Sequence, residues 1–168
     1  MMMSSKNDFY KKFPIGSFVS FSSLISEDVA LKTRKVSLLQ NTFGLPKGAY
    51  FLIESYCVDE DCDCRKVMIN VVAEDKNIIL GTIGFGWESP KYYIKWMYGD
   101  EKAGKALVGA YIEPGGIQNG LMNECLELVK NSLRDLHYIE LIKERYKIFE
   151  LNNKKSKTGW EYDIETFS

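Results

Sequence analysis

Between residues 49 and 114 the apolar side chains keep largely to a period of two. After residue 116 they change to helical spacing. "AYFLIESYC" (49–57) sets Tyr50, Leu52, Glu54 and Tyr56 against Phe51, Ile53, Ser55 and Cys57. "RKVMINVVA" (65–73) puts Val67, Ile69 and Val71 on one face. "NIILGTIGFGW" (77–87), "KYYIKWMY" (91–98) and "ALVGAYIEP" (106–114) follow. Successive strand residues point to opposite faces, so this alternation predicts strands. The links "EDKN", "ESP" and "GDEKAGK" are too short for parallel crossovers and carry turn residues. The prediction is an antiparallel meander of about five strands. An earlier stretch, "FPIGSFVSFSS" (13–23), has room for a short strand.

Two regions read as helical. In "SEDVALKTRKVSLLQNTFGLP" (26–46), Val29, Thr33, Val36, Leu39 and Phe43 recur at helical spacing. Ser26 is the expected N-cap, and Gly44 and Pro46 are the stop signals. "PGG" at 114–116 ends the last predicted strand. From Ile117 to about Asn152 an apolar face runs through Leu121, Cys125, Leu128, Leu136, Ile139, Ile142, Tyr146 and Phe149. That run is long for one helix, and Ser132–His137 is the expected break. The fold class is therefore α+β, with the meander packed against C-terminal helices and one helix before the sheet. Residues 1–8 are expected to be disordered, and the tail 152–168 carries a candidate edge strand at "WEYDIETF" (160–167).

Composition narrows the function classes. A chain of 168 residues, 45% hydrophobic and 27% charged, suits one folded domain spanning 1–168. The net charge of −1 argues against a wide nucleic-acid footprint, which needs a basic surface. The longest apolar runs, such as "VMINVVA" (67–73), are too short to span a bilayer. No apolar signal segment follows the N-terminus, so a cytoplasmic location is expected, where disulfides are rare.

That expectation gives weight to "YCVDEDCDCRK" (56–66), which packs three of the four cysteines into eight residues. Asp59, Glu60, Asp61 and Asp63 sit among them. In the meander, Cys57 ends one strand and Cys64 opens the next, so a hairpin brings them together. If 62–64 is extended, Cys62 and Cys64 point to one face. Three sulfurs then converge, and zinc prefers four ligands, mostly sulfur and nitrogen. Cys125, His137 and Asp59 are candidate fourth ligands, with water as the alternative. Carboxylates raise the cost of a lone thiolate, whereas a divalent cation deprotonates its own ligands. The loop thus suits a cation better than a free nucleophile. The competing readings are three cysteines packed as small hydrophobes, and a redox pair.

"FGLPKGAYFLIESYCVDEDCDCRKV" (43–67) resembles a segment of uncharacterised prokaryotic proteins with a Y-C-x-D-x-x-C-D-C-R core. The resemblance covers about 25 residues. It implies no activity and carries over no catalytic residue. It does imply that Tyr56, Asp63 and Arg65 belong with the cysteines as one unit. Asp63 and Asp61 are candidate partners for Arg65, and a solvated charged turn is the favoured alternative.

Other features point to structure rather than chemistry. "GTIGFG" (81–86) reverses the order of the dinucleotide fingerprint, so its glycines are expected to permit a bulge or close packing under aromatic rings. Tyr92, Ile94, Trp96 and Tyr98 are expected on one strand face as core, with Tyr93, Lys95 and Met97 on the other. His137 is the only histidine, and no G-x-S-x-G, HExxH or P-loop occurs. The sequence therefore points to a non-enzymatic metal-binding domain. Zinc on Cys57, Cys62 and Cys64 would pin the hairpin and serve binding or regulation. The alternatives are a thiol redox enzyme or sensor using Cys62 and Cys64, and a metal-free domain that binds another protein.

Overall fold

Strand pairing in the computed structural model is centred where the period-two pattern is strongest. It describes residues 18–20, 33–57, 59, 62–76 and 78–154. The elements in chain order are β1 Phe18–Ser20, β2 Arg34–Leu38, β3 Gly48–Cys57, β4 Lys66–Ala73 and β5 Ile78–Gly86. Then come α1 Pro90–Trp96, α2 Glu101–Lys105, β6 Gly109–Ile112, α3 Met122–Ser132 and α4 Leu136–Lys154. All strand pairs are antiparallel. β2 to β6 form a five-strand meander, and β1 joins the edge of β3 beside β2. β2 pairs with 48–52 of that edge and β1 with 55–57.

Register places one residue set on a common face. Leu52 lies opposite Val71, and Val71 opposite Gly81; Ile69 lies opposite Ile83. Tyr56, Leu52, Val67, Ile69, Val71 and Ile83 are each fully buried there. α4 covers this face over β3 and β4, and α3 covers it over β5 and β6. Leu128, Val129, Ile142 and Phe149 supply the helix side of the core. Phe149 stacks on Tyr56 with centroids 5.0 Å apart. The break between α3 and α4 falls inside the predicted segment. Asp135 Oδ1 accepts the His137 N–H at 3.0 Å and starts α4.

Glu54 stands on the same buried face. Arg145 of α4 donates from Nη1 to both of its carboxylate oxygens at 2.8 Å. The Tyr56 hydroxyl donates to Glu54 Oε1 at 2.6 Å. A buried charge persists only when it is paired and hydrogen-bonded, and this one is both.

Two predicted elements are corrected. The helix expected ahead of the sheet over 26–46 is replaced, in its described part, by β2 and a tight turn. Arg34, Val36 and Leu38 are half-buried while Lys35 and Ser37 are exposed, a period of two. Gly44 and Phe43 take positive φ in the turn that joins Thr42 to Leu45, so the glycine marks a hairpin rather than a helix end. The proposed cap Ser26 lies outside the described residues, as do 1–8 and 155–168, where disorder and an edge strand were expected.

The segment expected as a strand over 91–98 is helix α1 as far as Trp96 and then a turn. Ser89 Oγ accepts the Tyr92 N–H at 3.3 Å, and Pro90 occupies the first turn. A cap followed by proline at N1 starts a helix whatever alternation follows. Tyr93, not the Tyr92–Trp96 row, is the buried residue of α1. This helix lies at the other face of the sheet, where the Gly86 backbone passes beneath it. A Cβ at Gly86 would stand 2.1 Å from Leu107 O and 2.7 Å from the Tyr93 hydroxyl. A Cβ at Gly84 would stand 2.3 Å from the Tyr111 ring, so these glycines serve close packing under aromatics as expected.

Beyond Ile112 the chain keeps following β5. Glu113 N–H donates to Thr82 O at 3.1 Å, Thr82 N–H donates to Ile117 O at 3.0 Å, and Gln118 bridges Gly81. Among the described residues no helix is long and apolar enough to cross a membrane.

Candidate metal centre

The register of β3 and β4 puts Cys57 at the last position of its strand, at the mouth of the loop that leads to Lys66. The loop returns through Cys62, Asp63, Cys64 and Arg65. The three sulfurs of Cys57, Cys62 and Cys64 all lie within 4.8 Å of one another. None of the four cysteines forms a disulfide. Cys57 and Cys64 are buried and Cys62 is half-buried.

Sulfur contacts organise the cluster. The neighbouring Cys62 and Cys64 side chains, helped by the Asp59 backbone, hold the Cys57 thiol well below the usual range against burial and the Asp59 charge, while the Cys64 S–H donates to Lys66 O at 4.0 Å. Cys62 is raised, first by its bond to Cys57, while the Cys64 N–H donates to its sulfur. Cys64 is raised most strongly, by its bonds to Cys57 and Cys62 and then by burial.

The returning arm is gripped from both faces of the sheet. From α1, the Tyr92 hydroxyl donates to Asp63 O, and the Tyr93 hydroxyl donates to Arg65 O at 2.6 Å. From α4, the Tyr146 hydroxyl accepts the Arg65 N–H at 3.1 Å and donates to Asp63 Oδ1 at 3.1 Å. Arg65 sits at φ 47°, a conformation that a side chain rarely takes without support. Its guanidinium bonds both Asp63 carboxylate oxygens at 3.1 and 3.0 Å, stacks 4.5 Å from the Tyr92 ring centre and reaches Glu88 at 3.4 Å. Burial alone would raise the Asp63 carboxyl. The Arg65 bonds and charge, with the Tyr146 and Tyr92 hydroxyls, outweigh it and hold the group below the usual range. Burial, then the Asp63 charge, pushes Tyr92 up to about 12, so it stays a donor.

The predicted trio therefore comes together, and Arg65 pairs with Asp63 where a solvated charged turn was favoured. The acidic character of the loop is partly cancelled, because Asp63 is taken up by Arg65. The three candidate fourth ligands lie as follows. Cys125 is buried in α3 near Gly81, and burial, then Glu124, pushes its thiol up to about 11. His137 is exposed in the first turn of α4. Asp59 accepts the Cys62 N–H at its backbone oxygen, 3.2 Å. Among the described residues, the group of ligand atoms that converge contains Cys57, Cys62 and Cys64.

Sequence reasoning missed the tyrosine grip. The Ser89–Pro90 helix start was the available signal, since it turns Tyr92 and Tyr93 into neighbours on a helix that faces the hairpin. Tyr146 carried no local signal; its role follows from how α4 crosses the sheet. No family model, curated protein or solved structure matches this chain.

Proposed function

We propose that this chain is a small cytoplasmic metal-binding domain with a non-enzymatic binding or regulatory role, and that zinc is the ion held by Cys57, Cys62 and Cys64. The observation that carries the reading is the convergence of three sulfurs within 4.8 Å. Sulfurs bound to one tetrahedral zinc at about 2.3 Å stand about 3.8 Å apart, so only small side-chain shifts separate this arrangement from a ligand set. The donor set also fits a borderline-soft ion, because thiolates select zinc over hard cations. Backbone N–H groups aimed at the Cys57 and Cys62 sulfurs would offset the charge of the thiolates. The near-neutral net charge favours a protein over a nucleic acid as partner.

The test is metal content together with thiol titration, on protein purified without added metal or chelator. The expected result is about one zinc per chain and three thiols that react only after chelation. Cys125, fully buried, should require denaturant as well. Absence of metal with three freely titrating thiols would overturn the reading.

A second reading, a thiol redox sensor, draws on the same cluster. Its specific support is the approach of three free sulfurs within 4.8 Å, with Cys62 and Cys64 as the reacting pair. It predicts a reversible disulfide after mild peroxide treatment of metal-free protein, located by peptide mass mapping.

A further inference from the structure

The returning arm of the hairpin is braced by protein groups at Asp63 and Arg65. Three tyrosine hydroxyls from α1 and α4 hold Asp63 O, the Arg65 N–H and Arg65 O. The Arg65–Asp63 pair and the Tyr92 ring brace the same residues from the side. The sulfurs, for their part, lie within 4.8 Å of one another, and the Cys64 S–H donates to Lys66 O at 4.0 Å. The bonds that hold residues 63 and 65 thus run through the tyrosines and through the Arg65–Asp63 pair, not through the sulfurs. This differs from a structural zinc site, where binding free energy is folding free energy.

Access to the cluster is one-sided. Cys57 and Cys64 are 6% and 1% exposed, whereas Cys62 is half-buried. An incoming ligand meets Cys62 first. Three sulfur ligands also leave one position of a tetrahedral ion for a further donor.

We infer that the three-cysteine centre is an exchange site rather than a structural one. It takes up a thiophilic divalent cation and passes it, through Cys62, to an acceptor that presents a thiol. The inference rests on the metal-binding reading above. In the exchange, the acceptor sulfur forms its bond to the ion as the Cys62 sulfur gives its bond up. The proton of the incoming thiol passes to the freed Cys62 thiolate. The ion keeps its charge, no electron moves, and Cys57 and Cys64 are released in the same way as further acceptor groups arrive.

The experiment uses the full chain loaded with one equivalent of zinc. Excess glutathione with a chromophoric chelator draws the ion off, while circular dichroism follows the fold and urea kinetics give the unfolding rate. The expected result is zinc release about a hundredfold faster than global unfolding, with unchanged near- and far-ultraviolet spectra. Brief treatment with limiting iodoacetamide once the ion has been drawn off should label Cys62 ahead of Cys57 and Cys64. Release only at the unfolding rate, or collapse of the spectra on chelation, would overturn the exchange inference and leave the metal site standing. Failure to bind zinc at all would overturn both.

Discussion

Among the described residues, two arginine–carboxylate pairs share a carboxylate with a tyrosine hydroxyl, one at the centre of the sheet and one at its end. The Arg145 and Glu54 side chains are 3% and 1% exposed; those of Arg65 and Asp63 are 39% and 45% exposed. The chemistry is nearly the same, yet the consequences differ. In the core, water cannot replace a lost partner, so the pair matters mainly through the cost of breaking it. At the hairpin end, water can replace either partner, so the pair contributes little free energy and acts by fixing direction. One arginine keeps a buried charge paired. The other helps aim the loop that carries two of the three clustered cysteines.

The sharpest way to break this contrast is at the core pair. Arg145→Met should cost about 3–5 kcal/mol, because Glu54 is left charged and unpaired in the core. Urea denaturation measures it. A double replacement, Arg145→Met with Glu54→Leu, should recover most of that loss. Recovery of none would mean that the pair organises the core beyond neutralising its own charges.

Next in size is Tyr56→Phe, which removes the hydroxyl donor to Glu54 and keeps the ring stacked on Phe149. A loss of about 1.5–3 kcal/mol is expected in the same assay. Tyr146→Phe comes third. It deprives the Arg65 N–H of its acceptor and Asp63 of a donor, at about 1 kcal/mol. Its larger effect should fall on the metal, with zinc affinity reduced about tenfold in a competition titration. An unchanged affinity would show that the tyrosine grip is structural alone.

The smallest effect is expected at Arg65. Arg65→Gln should shift stability by no more than about 1 kcal/mol, since the pair is half exposed. Arg65→Gly loses the same pair but relieves the positive φ, so it should be no worse than the glutamine variant. If Arg65→Gly instead costs as much as Arg145→Met, the division between a core pair and a surface pair is wrong.

These pairs also show what the sequence could and could not disclose. β5, buried on both faces from Leu80 to Gly86, was legible as a short apolar run between turns. β3 and β4 were legible because much of each alternates between a buried and a half-buried face, which writes a period of two into the chain. Glu54 interrupts that buried face between Leu52 and Tyr56, so a partner for it was foreseeable in kind. The identity of Arg145 was not, because it depends on how α4 crosses the sheet. The segments 34–38 and 91–96 were assigned the wrong way round. Each is short enough for a few apolar residues to match either period, and partners outside the segment decided the outcome. The edge of β3 claimed the first, and the Ser89–Pro90 start claimed the second. The cysteine cluster was legible because its ligand atoms lie within one hairpin. The grip around it joins residues more than 25 positions apart, as Tyr92 to Asp63 does, and no local spacing encodes that.

The path of the chain after β6 has a consequence for behaviour in concentrated solution. A long bare strand edge offers a template on which a second copy can lay down its own strand. Here the β6 strand is only four residues long, and the segment from Glu113 to Gln118 continues alongside β5. That half of β5 presents no open row of amide and carbonyl groups to a neighbour. The segment thus acts as a guard against self-association of the sheet. A chain in which it is displaced should form fibrils more readily while its core remains folded.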